Sequence, residues 1–492
     1  MTDKTMLNDT VDIHVSLRSA EETETKTDND PPLYEYPQLD FSGGWKDLGF
    51  AIVFWINAIA VILVGIILGI PTIVSSLNHD TSSQMETTSF DASIKPFAYG
   101  LCVAAAVGAL ASFLSLFILQ QCAGQMIKCS FFIIIMMQIL LGVILLFILW
   151  PLSLIPATFI LFTLIFLSCI RKRISFAEAH LQAGFASLRS HPSVILIALA
   201  MIIVEFLWFI FWFLMILGII NFWNNSMTTF FIIVLILLLL FSWYWGAITF
   251  GNITHFITAC SVGHWWFSDE ASRQYTLKTS VKRAFTTNFG TICFGSFFEA
   301  FIKAARSCTE SNGGKNILAC AAHCILLTIE KLVGYLNEWA FIYAALTGQG
   351  FVQASRSFIK LFQQRGWTMV INDSLIETTM LILNFAIGLI SAAVGGLIMQ
   401  LITNDSSEKI ESIIIIVLIS FLIGLLMSTI VTTILKGCVR TVLVCFALNP
   451  AALAATHPDH FQALTKVWHQ VYPQEFADSG YANKFIEPAA YA

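Results

Sequence analysis

Stretches of about 20 apolar residues, nearly free of charge, recur from residue 51 to residue 434 and restrict this chain more than any other feature. They fall at 51–73, 96–119, 131–150, 152–170, 194–220, 230–254, 289–305, 317–346, 375–402 and 413–434. A hydrocarbon core about 30 Å thick takes about 20 helical residues to cross. In that solvent every backbone amide must find its partner inside the protein, which leaves helices or a closed barrel. Barrel strands alternate apolar and polar residues, and runs such as 232–241 do not. The expected fold is therefore all-α, a polytopic transmembrane bundle of about ten helices. Composition agrees: 57% of the 492 residues are hydrophobic and 12% are charged, against about 25% charged in soluble domains.

The flanks differ from this middle. Residues 1–47 are polar and mostly acidic, with too little apolar content for a core, and are expected to be a disordered cytosolic tail. The transporter domain is expected over 48–446 and a cytosolic C-terminal tail over 447–492. Lys and Arg gather beside alternate segment ends: Arg171, Lys172, Arg173 and Arg189; Arg273, Lys278, Lys282 and Arg283; Arg356, Lys360 and Arg365; then Lys436 and Arg440. The positive-inside rule puts these ends, and both termini, in the cytosol. The sequons at Asn224 and Asn404 fall on the opposite side, as expected of a glycoprotein. Lys303, Arg306 and Lys315 break the rule, which leaves open whether 289–305 spans the bilayer or re-enters it.

Several function classes drop out. With a net charge of -5, no nucleic-acid partner is expected. There is no HExxH, GxSxG or phosphate-binding loop, so neither an enzyme nor a cofactor is expected. Cys320 and Cys324 flank His323, but no second pair matches them, and no metal is expected.

Charged groups in a bilayer are costly and tend to mark cavities or partners. Glu205, Glu299 and Glu338 lie inside apolar segments. Aromatic residues accompany them: Trp208 and Trp212 after Glu205, the cluster Trp243, Tyr244 and Trp245, and Trp339 and Tyr343 after Glu338. A quaternary ammonium donates no conventional hydrogen bond and is recognised by aromatic faces with a nearby carboxylate. These residues are the candidate site for a small organic cation. Aromatic belts at the membrane interface and helix packing are the structural alternatives for the same residues. Gly290, Gly295 and Ser296, and Gly348 and Gly350, would admit close neighbours.

At these residues the chain resembles the choline transporter-like family. Phe289-Gly290-Thr291-Ile292-Cys293-Phe294-Gly295-Ser296 is similar to the family's glycine–serine signature, and Ser280-Val281-Lys282-Arg283-Ala284-Phe285 to the segment before it. Leu336-Asn337-Glu338-Trp339-Ala340-Phe341-Ile342-Tyr343 and Gly348-Gln349-Gly350-Phe351 resemble its later blocks, with a weaker echo at Trp45-Lys46-Asp47. The likeness covers roughly 241–446 and suits the pH nine-sensitive branch. The chain departs from the family at Phe351-Val352-Gln353-Ala354-Ser355, at His264 and at Glu299. The resemblance implies ten helices, a plasma-membrane or organellar location, and sodium-independent transport of choline or a related amine by a solute carrier. A non-transporting scaffold and an ion channel are the alternatives.

Overall fold

The computed structural model describes residues 44–80, 87–148, 153–171, 173–222, 229–267, 276–310, 317–402 and 409–478. The described residues form helices and no strand. In chain order they are α1 (Leu48–Val64), a π-helical turn (Gly65–Gly69), α2 (Ile70–Asp80), α3 (Thr87–Ile148), α4 (Leu154–Ile170), α5 (Ile174–Ser190), α6 (Ser193–Phe222), α7 (Thr229–Phe267), α8 (Thr276–Phe285), α9 (Phe289–Glu310), α10 (Ile317–Thr347), α11 (Phe351–Ile402), α12 (Lys409–Leu448), α13 (Pro450–Thr456), α14 (Pro458–Val471) and α15 (Pro473–Asp478).

The described parts of the ten expected segments are helical, but they are joined differently from the sequence expectation: the first runs through α1, the π-helical turn and into α2. The second and third share α3, whose path bends at Cys122, where φ is −126° and ψ 31°. The ninth is the second half of α11. Seven stretches are long and apolar enough to cross a membrane: Leu48–Ser75, Gly100–Ile118, Gln121–Phe147, Ser193–Asn221, Ile232–Phe267, Asn372–Leu401 and Ile413–Leu448. Leu154–Ser168 is apolar but shorter. The surface confirms what surrounds them. Phe147 is 84% exposed and Leu401 81%, with many Ile and Leu side chains facing outward beside them. Water would penalise such a surface heavily, whereas acyl chains do not.

The expected seventh and eighth segments, α9 and α10, are not among these seven stretches; they carry more charge, and the packing explains how. Arg306 of α9 pairs with Glu330 of α10. Glu299 of α9 accepts a hydrogen bond from the Asn337 amide of α10 at 3.2 Å. The Lys303 ammonium sits over the Tyr244 ring, 5.2 Å from its centre. Lys303 and Arg306, two of the charges that break the positive-inside pattern, are thus engaged within the bundle, which weakens them as orientation signals, and Lys315 lies outside the described residues.

Two groups of helices result. One contains α3, α11 and α12; the other contains α1, α6, α7, α9 and α10. They meet where α12 packs on α7 and where α10 packs on α11. A small cap of α5, α13, α14 and α15 covers one end, resting on α12 and α7 through Phe446, Phe461, Leu464 and Trp468. In this cap the His180 imidazole is fully buried against Phe176 and Phe446, and burial pushes its pKa down to about 4.

Candidate functional site

Helical periodicity builds the first candidate site along the junction of the two groups. On α6, Ala198, Met201 and Glu205 share one face; on α7, Phe250, Thr254, His255 and Thr258 do; on α12, Leu426, Thr429 and Thr433 do. Together they line a cleft of about 220 Å³. Glu205 is its single acidic wall residue. Among the described residues no Lys, Arg or His lies within 4.0 Å of its carboxylate. His255 is committed elsewhere: its Nε2 lies 3.2 Å from the Glu338 carbonyl oxygen, which can only accept, so Nε2 carries the proton.

The candidate aromatics divide by what their polar edges do. Trp208 Nε1 donates to the Trp243 carbonyl at 3.3 Å, and Trp212 Nε1 to the Leu239 carbonyl at 2.9 Å. The Trp212 and Trp243 rings lie 4.9 Å apart. These three side chains seam α6 to α7. The Trp208 ring also packs edge-on against Phe250 in the cleft wall, at 6.0 Å. Trp245, 1% exposed, donates to the Cys293 carbonyl at 3.1 Å and sits among Phe54, Phe241 and Phe297. The Tyr244 hydroxyl is 2.9 Å from Ser307 Oγ, and its face is covered by Lys303.

A second polar seam joins α7, α9 and α10. Asn252 donates to Ser296 Oγ at 3.0 Å. The Asn337 amide donates to the Gly295 carbonyl at 3.0 Å as well as to Glu299. A side chain at Gly295 would collide with the Phe341 and Phe351 rings. Glu299 is therefore held by an amide within the helix packing, and Glu205 faces open space.

Glu338 belongs to a third arrangement, made of charges. Arg440, whose side chain is 1% exposed, makes a two-pronged pair with Asp373, Nε to Oδ1 at 2.6 Å and the second nitrogen to Oδ2 at 2.8 Å. It also pairs with Glu338. Its guanidinium lies 5.3 Å from the Tyr335 ring centre and 5.4 Å from that of Trp339. Trp339 is stacked on Phe358 at 5.6 Å. Lys436 bonds Glu377 at 2.7 Å and lies 4.0 Å from Glu338. Tyr343 is buried one turn beyond Trp339, where its carbonyl accepts from Thr347.

The glycine motifs converge on Asp47. Its carboxylate accepts from Thr291 Oγ1 at 3.0 Å and from the Phe351 backbone N–H at 2.8 Å, capping the first turn of α11. A side chain at Gly290 would lie 2.3 Å from the Asp47 carbonyl oxygen, and one at Gly350 3.1 Å from its carboxylate. Gly348 ends α10 with φ 70° and Asp47 itself has φ 49°. Three distant segments are pinned by one carboxylate. Asp47→Ala is expected to lower stability by about 1–2 kcal/mol. Asp47→Asn, which keeps an acceptor oxygen, should lose less. The melting temperature of the detergent-solubilised protein measures this, and an unchanged melt for Asp47→Ala would show that the junction holds without the carboxylate.

Asn224 and Asn404 lie outside the described residues. Sequence reasoning does not find His255, Asp373 with Arg440, or Asp47 as a shared cap. A faint signal exists in Gly251-Asn252-Ile253-Thr254-His255, a polar cluster inside an apolar helix.

Residues 154–451 match the family described as plasma-membrane choline transporter. The chain is 27% identical to a CTL-like protein of Dictyostelium discoideum over 360 residues, 70% of this chain and 62% of that one. It is 29% identical to Protein PNS1 of Mycosarcoma maydis over 249 residues, 48% of this chain and 46% of that one. Against Protein PNS1 of Gibberella zeae the identity is 27% over 241 residues, 47% and 45% of the two chains. The matched stretch thus spans from 45% to 62% of the length of these relatives.

Proposed function

We propose, because this chain belongs to the plasma-membrane choline transporter family, that it carries choline or a related small organic cation across a membrane. The observation that carries the reading is Glu205, an acidic side chain inside a membrane helix that faces a cleft and has no ion-pair partner among the described residues. Lys303 acts on this half-buried carboxylate only from beyond ion-pairing distance, and a cationic solute that reaches it directly offsets more of its cost. Phe250, backed by Trp208, supplies an aromatic wall for methylated nitrogen.

The cleft lies between the two helix groups, where rocking of one against the other opens it to alternate sides. Energy for accumulation comes from the membrane potential, about 2.3 kcal/mol per 100 mV for each positive charge moved. Sodium is not needed for this. The plasma membrane, with both termini in the cytosol, is the location that fits.

Purified protein in liposomes should take up labelled choline with saturable kinetics. Uptake should be faster with the interior negative and indifferent to replacing sodium by another monovalent cation. Absence of uptake for every quaternary amine tried would remove the reading and favour a non-transporting scaffold.

A further inference from the structure

Three carboxylates and two cations meet where α10, α11 and α12 converge: Glu338, Asp373 and Glu377 with Arg440 and Lys436. One carboxylate is in excess. The two cations are held very differently. Arg440 is fixed by its fork on Asp373 and by two aromatic faces, with its side chain 1% exposed. Lys436 is 21% exposed, holds Glu377 through one oxygen at 2.7 Å, and lies at the edge of ion-pairing distance from Glu338. The other Glu377 oxygen is 3.8 Å from the fixed Arg440, so Lys436 is the close and movable one of its two cations. A lysine ammonium on a flexible four-carbon stem can leave a single-oxygen contact, and an arginine fork in a stacked slot cannot do so easily.

Glu377 and Lys436 also form the polar end of a second cleft, of about 350 Å³, between α11 and α12. Its walls include Thr429 and Thr433, the same α12 residues that line the Glu205 cleft. The two clefts thus adjoin along one stripe of hydroxyls. A cation moving along that stripe from Glu205 meets Glu377 already occupied by a lysine of the protein.

We propose that Lys436 is a tethered competitor for the transported cation, and that Glu377 is the carboxylate over which the two compete. Arrival of the solute displaces the ammonium from Glu377 toward Glu338, and its return drives the solute onward. Exchanging one cation for another at a carboxylate leaves the local charge unchanged, so no uncompensated ion is created at either step. A quaternary ammonium donates no hydrogen bond, which makes it the weaker partner and keeps the exchange reversible. The inference rests on the transport reading above and adds a second cation position to it.

Uptake kinetics in liposomes test it. Lys436→Gln removes the competitor, so KM for choline should fall by about tenfold while kcat also falls, because release slows. Glu377→Gln should raise KM by about tenfold. The double variant should follow Glu377→Gln, since a competitor has no effect once the contested group is neutral. Lys436→Arg, which keeps the charge, should keep a KM near wild type. Where a variant turns over too slowly to measure, equilibrium binding of labelled choline to the solubilised protein should give the same order. Lys436→Gln protein that transports or binds choline with the wild-type constant overturns the inference alone. Wild-type protein that transports no quaternary amine removes the transport reading and this inference with it.

Discussion

Arg440→Leu is expected to destabilise the protein by about 3–5 kcal/mol, a larger loss than removal of the Asp47 carboxylate should cause. Leucine fills much of the volume, so packing is not the main cost. The change strips the forked partner from Asp373, which is itself buried and is left with the Tyr335 hydroxyl and the more distant Lys436, and it takes one of the two cations from Glu338. An uncompensated carboxylate in low dielectric either stays charged at high cost or takes up a proton and loses its fork partner. Arg440→Lys should recover little, because an ammonium cannot span both Asp373 oxygens while lying over Tyr335 and Trp339. Combining Arg440→Leu with Asp373→Leu should recover part of the loss, since removing both members of a buried pair costs less than removing one. The melting temperature and the yield of monodisperse protein in detergent measure all three. A single Arg440→Leu protein that melts with the wild type would show that the cluster contributes nothing to the fold.

Glu205→Gln is expected to lower kcat/KM for choline by about 10- to 100-fold, the span of a charge-assisted contact worth about 1.5–3 kcal/mol. Glutamine has nearly the same shape, so the cleft persists and only the charge goes. The melting temperature should hold or rise, because the variant no longer carries a half-buried carboxylate without a salt bridge in the membrane, and loses only the longer-range attraction of Lys303. Glu299→Gln is the informative contrast. Asn337 already satisfies that side chain, so its neutral counterpart should alter uptake far less. Equal effects from the two variants would place the cation route elsewhere.

The helices are legible in the sequence because hydrocarbon imposes one rule on every spanning backbone, and that rule is written in consecutive residues. The polar helices α9 and α10 can be located but not explained, since Arg306 and Glu330, 24 positions apart, cancel only once the two helices lie side by side. Aromatic residues are harder still. Trp208, Trp212 and Trp245 each donate to a backbone carbonyl of another helix, and no pattern of side chains announces which carbonyl will be in reach. Glu205 stands out because it is a lone charge in an apolar run. His255 does not, because a histidine near the polar end of an apolar run looks like an ordinary boundary residue. The echo at Trp45-Lys46-Asp47 is visible, but its meaning requires contacts 244 and 304 residues away.

At the π-helical turn of Gly65–Gly69 the Ile70 N–H bonds the Gly65 carbonyl, five residues back, so the turn takes in one residue more than an α-helical turn would. Before it, α1 packs against α9; at it, the backbone presses against α6, where a Cβ on Gly69 would fall 2.3 Å from the Leu214 carbonyl oxygen. The supernumerary residue lets one rod offer differently oriented sides to two neighbours. Shortening the stretch by a single position would keep nearly all of its chemistry yet rotate one half of the rod by roughly 100° against the other. What matters in this stretch is therefore how many residues there are as much as which ones, and the plainest part of the chain is among the least tolerant of a change in length.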